Sequence, residues 1–389
     1  MKLRSIKGIK NLKHKRVLVR VDFNVPLQNK KILDDTRIKM ALLTIKHLIK
    51  QESIVVLMSH LGGRGSSLRP VASRLEKLLG QKVNFITDCI GGKVKKVINT
   101  AKAGDVVLLE NLRFYEEEKK NSKMFAKNLA RLGDIYVNEA FSVSHREHAS
   151  ISAITGFLPS FSGFLLKEEI KKLSQLRRKP KKPYVVLLGG AKLSTKIKLI
   201  KGLTGSASKI LIGGAMANVF LEAKGYEIGK SLMEKKMLTE AKKLVKNKEI
   251  NKKILLPIDV VVAKSVNNNS KAKVRLISEV EKNDIILDIG PKTILKYAEI
   301  LKKAKTILWN GPMGKFELKH FESGSLILAR VIAIQSSSKA FGVCGGGETI
   351  EVLNKTKMKE FVDWVSTGGG AMLSFLSKEK MPALNKLKK

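Results

Sequence analysis

Short apolar runs alternate with helix-length amphipathic stretches along nearly the whole chain, and few folds accept that pattern. The apolar runs cover 17–23, 54–60, 106–111, 135–141, 184–191, 209–215, 254–263, 285–290, 306–311 and 341–347. Amphipathic stretches at 36–51, 70–80, 122–133, 194–203, 217–225, 234–247, 293–304 and 323–336 fall between most of them. Near-continuous apolar strands separated by helices predict parallel sheets covered on both faces. Ten such strands are too many for one ordinary domain, so the 389 residues read as two. The charged segment 164–183, ended by Pro180 and Pro183, reads as the helix that joins them. The expected fold class is α/β: two doubly wound parallel-sheet domains joined by a hinge helix, with a central cleft. The expected divisions are 1–167, a hinge at 168–183, and 184–372.

Open α/β sheets bind ligands outside the carboxyl ends of their strands. In the first half those ends carry polar side chains: Asp22 and Asn24, Ser59 and His60, Glu110 and Asn111. In the second half they carry glycine: Gly189-Gly190, Gly213-Gly214, Gly290, Gly311 after Asn310, and Gly345-Gly346-Gly347. One half is therefore expected to grip a small anion with side chains, and the other to grip phosphates with backbone. Glycine lets backbone N–H groups approach an anion, and a helix N-terminus adds partial positive charge. Three glycine clusters suit phosphate binding of this kind. They are Gly189-Gly190-Ala191-Lys192, which opens a helix carrying Lys196, then Gly346-Gly347-Glu348-Thr349, and Gly368-Gly369-Gly370.

Charge narrows the choice of ligand. Lys and Arg number 75 against 34 Asp and Glu, a net charge of +41. Only 14 of the basic residues are arginine, and 12 of these lie within the first 178 residues. Lysine is scattered without a block of five like charges, which reads as solvated surface. Arginine's planar fork suits carboxylate and phosphate, so its crowding into one half points to an anion site there. Arg37, Arg64, Arg113 and Arg146 each follow a strand or start a helix, and with Asp22, Asn24 and His60 could line a pocket for a phosphorylated carboxylate. Arg20, one step before the strand end, reads as a structural ion-pair member.

The familiar nucleotide fingerprints are absent: no G-x-x-x-x-G-K-[ST] and no G-x-G-x-x-G occurs. His145-Arg146-Glu147 superficially resembles the protein-kinase H-R-D, but no glycine-rich loop or D-F-G accompanies it. Instead, R-V-D-F-N-V-P from Arg20, E-N-L-R-F from Glu110, G-G-A-K from Gly189, D-I-G-P-K-T from Asp288, W-N-G-P-M-G from Trp309 and S-T-G-G-G-A from Ser366 occur in order. Together they resemble the phosphoglycerate kinase family along essentially the whole chain.

The resemblance implies Mg²⁺-dependent, reversible phosphoryl transfer between 1,3-bisphosphoglycerate and ADP, giving 3-phosphoglycerate and ATP, a step of glycolysis and gluconeogenesis. It implies a 3-phosphoglycerate-binding first domain with a returning tail, 373–389, and a nucleotide-binding second domain. The two would stay apart to load and close to react, excluding water from a reactive acyl phosphate. Matched residue by residue, Asp22, Asn24, Arg37, His60, Arg64, Arg113 and Arg146 would bind the phosphoglycerate. Gly189, Gly190, Lys192, Lys196, Gly213, Gly214, Asn310, Pro312, Glu317, Gly346, Gly347, Glu348 and Thr349 would bind the nucleotide, with Glu348 serving the metal. Arg37, Lys192, Gly347 and Gly369 would act on the transferring phosphoryl group.

The sequence departs from the family pattern in places. His60-Leu61-Gly62-Gly63-Arg64 is one residue longer than H-L-G-R-P, so Arg69 is the alternative to Arg64 as the substrate arginine. Glu139 stands where N-D-A-F has aspartate, and Glu348 stands for the commoner aspartate. Lys315 takes an apolar position in the base pocket, where its stem could pack on the purine while the ammonium reaches water. His145 and His148 could share a helix face, but no third ligand joins them for zinc.

Two other readings remain at this level. One is a basic nucleic-acid-binding protein without catalytic turnover; aromatic residues are only 5%, so stacking platforms are scarce. The other is a nicotinamide dehydrogenase, against which the missing G-x-G-x-x-G counts. Two cysteines, Cys89 and Cys344, form no C-x-x-C. No apolar run reaches 18 residues and the first residues carry no secretory h-region. The expectation is a cytoplasmic monomer with ATP or ADP and phosphoglycerates as partners, no specific nucleic acid and no membrane.

Overall fold

Val17, Leu18 and Val19 form the apolar middle of the first strand, β1 (Arg16–Arg20), and it becomes the centre of a six-stranded parallel sheet. The computed structural model describes residues 3–62 and 65–388. It divides into two compact units, Met1–Lys171 with Glu379–Lys389, and Lys172–Lys378. The other strands of the first unit are β2 (Leu27–Gln28), β3 (Lys31–Ile32), β4 (Ile54–Met58), β5 (Val83–Phe85), β6 (Val106–Leu108), β7 (Ile135–Asn138) and β8 (Ser160–Ser162). The sheet order is β5-β6-β4-β1-β7-β8, with β2 and β3 pairing separately. Val17, Val19, Val55 and Leu57 pack on one face beneath the helices Thr36–Lys50 and Arg69–Leu79. Leu18, Val56 and Met58 pack on the other with Val94, Ile98, Phe125 and Leu129. Both faces are buried, as the near-continuous apolar runs require.

The second unit contains β9 (Tyr184–Leu188), β10 (Lys209–Ile212), β11 (Ile254–Leu255), β12 (Asp259–Ala263), β13 (Lys273–Leu276), β14 (Ile285–Ile289), β15 (Thr306–Asn310), β16 (Phe341–Gly345) and β17 (Trp364–Ser366). Its parallel sheet has the order β11-β10-β9-β15-β16-β17. In each sheet the chain first builds outward on one side of a strand and then returns to the other side. The switch points lie between β1 and β7 and between β9 and β15.

Several expectations need correction. The run 254–263 is not one strand: Pro257 lies between β11 and β12, and only β11 joins the parallel sheet. β12 instead pairs antiparallel with β13 and with β14, forming a separate three-stranded sheet. The helix expected to open directly after Gly189-Gly190 is delayed. A 3-10 turn, Leu193–Thr195, comes first, and Lys196 precedes the helix Ile197–Leu203 rather than lying on it. The segment holding His145 and His148 is turn and loop, so they share no helix face.

The joining helix runs Phe164–Arg178, and the division between units falls within it, between Lys171 and Lys172. The tail joins the first unit from Glu379 rather than from 373. The helix Gly370–Leu376 stays in the second unit, where Gly202 leaves room for the backbone of Ser377. In the first unit Arg4 N donates to Leu387 O at 2.8 Å, so the segments around Arg4 and Leu387 lie side by side.

Glu139 anchors the start of the joining helix. Leu165 N and Leu166 N donate to its carboxylate at 3.0 and 3.1 Å. Thr44 Oγ1 also donates to it, and accepts from Phe164 N at 2.9 Å. A carboxylate at a helix N-terminus satisfies orphan amides and meets the favourable end of the dipole. Burial nevertheless pushes this carboxyl up to about 7. Glu139→Ala would leave these donors buried and unpaired. A loss of about 1–3 kcal/mol is expected, measured as a lower urea midpoint; an unchanged midpoint would contradict the anchoring role.

Candidate functional site

The first unit gathers its polar groups beyond β1, β4 and β7. Asp22 follows β1 and is nearly buried; Arg37 Nη1 and Ser142 Oγ both donate to its Oδ2, and Asn24 N donates to Oδ1 at 3.1 Å. Asn24 Oδ1 accepts from Gly62 N at 2.8 Å. The loop after β4 is held from beneath by Asn111, whose amide donates to Leu61 O and Ser66 O at 2.8 Å each. Glu110 supports the same loop, accepting from Ser67 Oγ at 2.7 Å and Leu68 N at 2.8 Å. Arg113 donates to Gly62 O.

His60 lies in the midst of this charge. Burial, followed by the positive charges of Arg20, Arg113, Arg146 and Arg37, holds its imidazole well below the ordinary histidine range. His148 behaves likewise, pushed down to about 4 by burial and then by Arg146, Arg20 and Arg113. Its Nδ1 lies 3.9 Å from Glu118 Oε1, but a neutral imidazole forms no salt bridge there.

Thus Asp22, Asn24, Arg37, His60, Arg113 and Arg146 belong to one region of the first unit. Arg64 lies outside the described residues. Arg69 begins its helix and stacks its guanidinium 4.9 Å from the Phe85 ring, on the edge strand β5. Sequence reasoning passed over the supports behind these residues: the buried Glu118 and Ser150, and the half-buried Ser142. Single Ser and Glu residues in turns and in the short helix Glu116–Lys119 give no signal until the fold closes.

In the second unit, β9 and β15 meet at the switch point with their backbones in contact. Gly189 N donates to Asn310 O at 3.0 Å, and Gly190 N to Pro312 O at 2.8 Å. Gly214 N donates to Met313 O at 2.7 Å. A Cβ on Gly189 would stand 2.0 Å from Pro312 O, so no larger residue fits there. Gly214 adds a second constraint: its φ of 62° is one that glycine adopts freely.

These turns border a cavity of about 280 Å³, whose walls include Gly190, Gly214, Leu221, Leu232, Val260, Leu287, Pro312, Met313, Lys315, Glu317 and Glu348. Apolar walls with a few placed polar groups are the usual make-up of a small-molecule site. Lys315 and Glu317 form an ion pair at 3.1 Å across its rim. Of the residues expected at the nucleotide or the transferring group, Gly189, Lys192, Lys196, Gly213, Asn310, Gly346, Gly347, Thr349 and Gly369 lie outside this lining. Lys192 is exposed, and Ser194 N, just after it, is tied to Glu234 Oε2 at 2.9 Å. Lys196 is nearly buried, and burial lowers its pKa against the opposing effect of Glu348.

Asn310 and Thr349 spend their side chains on holding the turns. Asn310 Nδ2 donates to Gly345 O at 2.5 Å, and Thr349 Oγ1 accepts from Gly311 N at 2.7 Å. The second bond fastens the β15 turn to the start of the helix Gly347–Lys355. Gly346 and Gly347 link β16 to that helix, and Glu348 sits in its first turn.

Two parallel sheets, one ending in arginines around a buried histidine and the other in glycine turns around an apolar cavity, define an α/β phosphotransferase architecture. A phosphoglycerate kinase family model matches residues 6–379. The chain is 42% identical over 396 residues to a phosphoglycerate kinase of Borrelia garinii subsp. bavariensis, covering 100% of each. It is 46% identical over 382 residues to that of Thermosipho africanus, covering 96% of this chain and 95% of the relative. Among solved structures, the phosphoglycerate kinase of Coxiella burnetii superposes with a TM-score of 0.87 at 38% identity, covering 99% of each chain. That of Pyrococcus horikoshii OT3 gives 0.89 at 33% identity, covering 99% of this chain and 98% of the other.

The chain belongs to the phosphoglycerate kinase family. Its activity is reversible phosphoryl transfer between 1,3-bisphosphoglycerate and ADP, giving 3-phosphoglycerate and ATP, with a carboxyl group as acceptor in the reverse direction. These relatives lend no support to the nucleic-acid reading of the net charge.

Asp288 supports the cavity from within. It accepts from Gly324 N at 2.8 Å and Ile289 N at 2.9 Å, and burial pushes its carboxyl up to about 8. The folded state therefore binds this proton more tightly than the unfolded chain. The resulting stabilisation is complete below the ordinary aspartate range and is lost as pH rises through about 8. Asp288→Asn sets an amide N–H against one of these donors, and should cost about 1–3 kcal/mol at pH 5. The deficit should shrink toward pH 8, because only the wild type loses a proton there. Urea unfolding at both pH values measures this; a constant deficit would contradict the assignment.

Proposed function

We propose that the first unit holds the phosphoglycerate and the second unit the nucleotide. The observation that carries this reading is the convergence of four arginine charges on His60 at the end of β4. Asp22 and Asn24 would take the glycerate hydroxyl and carboxyl end. His60, Arg64, Arg113 and Arg146 would hold the phosphate. Arg37, with one of its five donors engaged by Asp22, would present others to the group in transit.

In the second unit the purine would occupy the apolar cavity against Gly214 and Pro312, with Glu317 at the ribose and Gly213 and Asn310 supporting the wall. Lys315 has its ammonium paired to Glu317, so its stem would remain beside the base. Gly189, Gly190, Lys192, Lys196 and the turn Gly346–Thr349 would hold the phosphates. Backbone N–H groups of Gly347 and Gly369 would face the moving phosphoryl group.

Magnesium is the metal this reading implies. Mg²⁺ takes oxygen ligands and is commonly held by one or two carboxylates plus substrate phosphates and water. Glu348 fits that habit: its Oε2 is 3.5 Å from where a Cβ on Gly190 would stand, and Lys196 Nζ is 3.6 Å from the same point. When bound, the ion would neutralise charge on the phosphate oxygens. The reading also takes the protein as a cytoplasmic monomer that acts on small molecules. No helix among the described residues is long and apolar enough to cross a membrane.

A metaphosphate-like transition state needs alignment and charge stabilisation more than covalent help. Arg37 and Lys192 are assigned that work. Arg37→Ala should lower kcat on the order of 10²–10³-fold, as for other single electrostatic donors. The check is 3-phosphoglycerate-dependent ATP consumption coupled to NADH oxidation; a variant with full kcat would refute the assignment. EDTA should abolish turnover in the same assay and excess Mg²⁺ restore it. Turnover that persists in EDTA would remove the metal role of Glu348.

A further inference from the structure

Arg20 reads from the sequence as a structural ion-pair member, and its surroundings give it a more particular role. It is 1% exposed, as is Glu118. Its Nε donates to Ser150 Oγ at 2.8 Å and its Nη1 to Val21 O at 2.5 Å. Ser150 in turn donates through Oγ to Glu118 Oε1 at 2.6 Å and through N to Oε2 at 2.9 Å. Tyr136 Oη donates to Ser150 O at 2.9 Å and braces the same residue. The guanidinium is thus fixed in place, and its remaining nitrogen, Nη2, lies 3.1 Å from His60 Nδ1.

A guanidinium has only donors. Nδ1 of His60 must therefore be the acceptor in this contact, with its lone pair toward Arg20. An imidazolium would set N–H against N–H, in a place where Arg37, Arg113 and Arg146 already oppose further positive charge. The ring is then neutral, and its single proton is on Nε2.

We propose that Arg20 is a positioning residue that locks His60 in the Nε2–H tautomer, making it a neutral hydrogen-bond donor to the anionic substrate of the first unit. The tautomer follows from the Arg20 contact alone; the destination of the Nε2 proton rests on the proposed phosphoglycerate site. A neutral donor keeps its proton across the working pH range, whereas an unlocked imidazole would change tautomer or charge with its surroundings. Glu118 and Ser150 act on His60 only through Arg20.

The test is ¹⁵N–¹H spectroscopy of histidine-labelled full-length protein, with His60→Gln used to assign the signals. His60 should show a proton on Nε2 and an unprotonated Nδ1 from pH 5.5 to 8. An Nδ1–H tautomer, or an imidazolium at pH 7, would overturn the proposal. Adding 3-phosphoglycerate should shift the Nε2–H signal; a locked tautomer that ignores the ligand would overturn the substrate part alone. Arg20→Met should raise KM for 3-phosphoglycerate on the order of tenfold, about the worth of one hydrogen bond. KM for ATP should stay unchanged, and a histidine titration should appear in the pH profile of the 3-phosphoglycerate KM. Arg20→Lys should restore part of the effect. If Arg20→Met does not fold, Ser150→Ala provides the kinetic comparison, and equal rises in both KM values would contradict the positioning role.

Discussion

Burial of both faces of two parallel sheets is the constraint on which the rest of the structure depends. Strands β4 and β9 are apolar on each side along their whole length, and in β1 and β15 the polar residues, Arg16, Arg20, Thr306 and Asn310, stand at the strand ends. Polar groups accumulate at the carboxyl ends, where the chain leaves the sheet. Asp22, His60, Gly189 and Asn310 are all within a few residues of a strand end. The position of the chemistry therefore follows from packing before any ligand is considered.

The two units meet this constraint differently. In the first, side chains are stacked in layers: Glu118 and Ser150 hold Arg20, Arg20 holds His60, and Ser142 with Arg37 holds Asp22. Burying Arg20 and Glu118 carries a desolvation cost, offset in part by their mutual attraction and by the hydroxyl between them. In the second, backbone approaches backbone. Gly189, Gly214 and Gly311 permit separations that any Cβ would forbid, and Thr349 and Asn310 tie the turns together. One unit fixes charge through side-chain orientation, and the other fixes N–H groups through chain geometry.

Much of this is legible in the sequence because the signals are local. The apolar runs locate the long strands, and the glycine clusters locate the turns. The short edge strands β5 and β8 escape, since Val83-Asn84-Phe85 and Ser160-Phe161-Ser162 offer three residues each and no apolar run. The antiparallel pairing of β12 escapes because its apolar run, Val260 to Ala263, reads alike in either sheet type. For the candidate site, residues at strand ends are found, while the supporting role of others is not. Glu118 and Ser150 go unread, and Glu139 and Asp288 are read only as parts of motifs, because Ser150, Leu165 and Gly324, which three of them hold, are 26 to 36 residues away; a buried carboxylate has no signature until its partners are known. Arg20 stands out in the sequence only as a generic ion-pair member, because its contact with His60 spans 40 residues of chain.

The central claim is that the phosphoglycerate is held by side-chain charge and the nucleotide mainly by backbone and an apolar cavity. Interactions between exposed charges weaken with ionic strength, whereas apolar burial and backbone hydrogen bonds weaken far less. The direct measurement is the KM of each substrate as potassium chloride is raised at constant Mg²⁺. The account predicts a steep rise for 3-phosphoglycerate and a shallow one for ATP. Equal slopes, or a steeper slope for ATP, would contradict it.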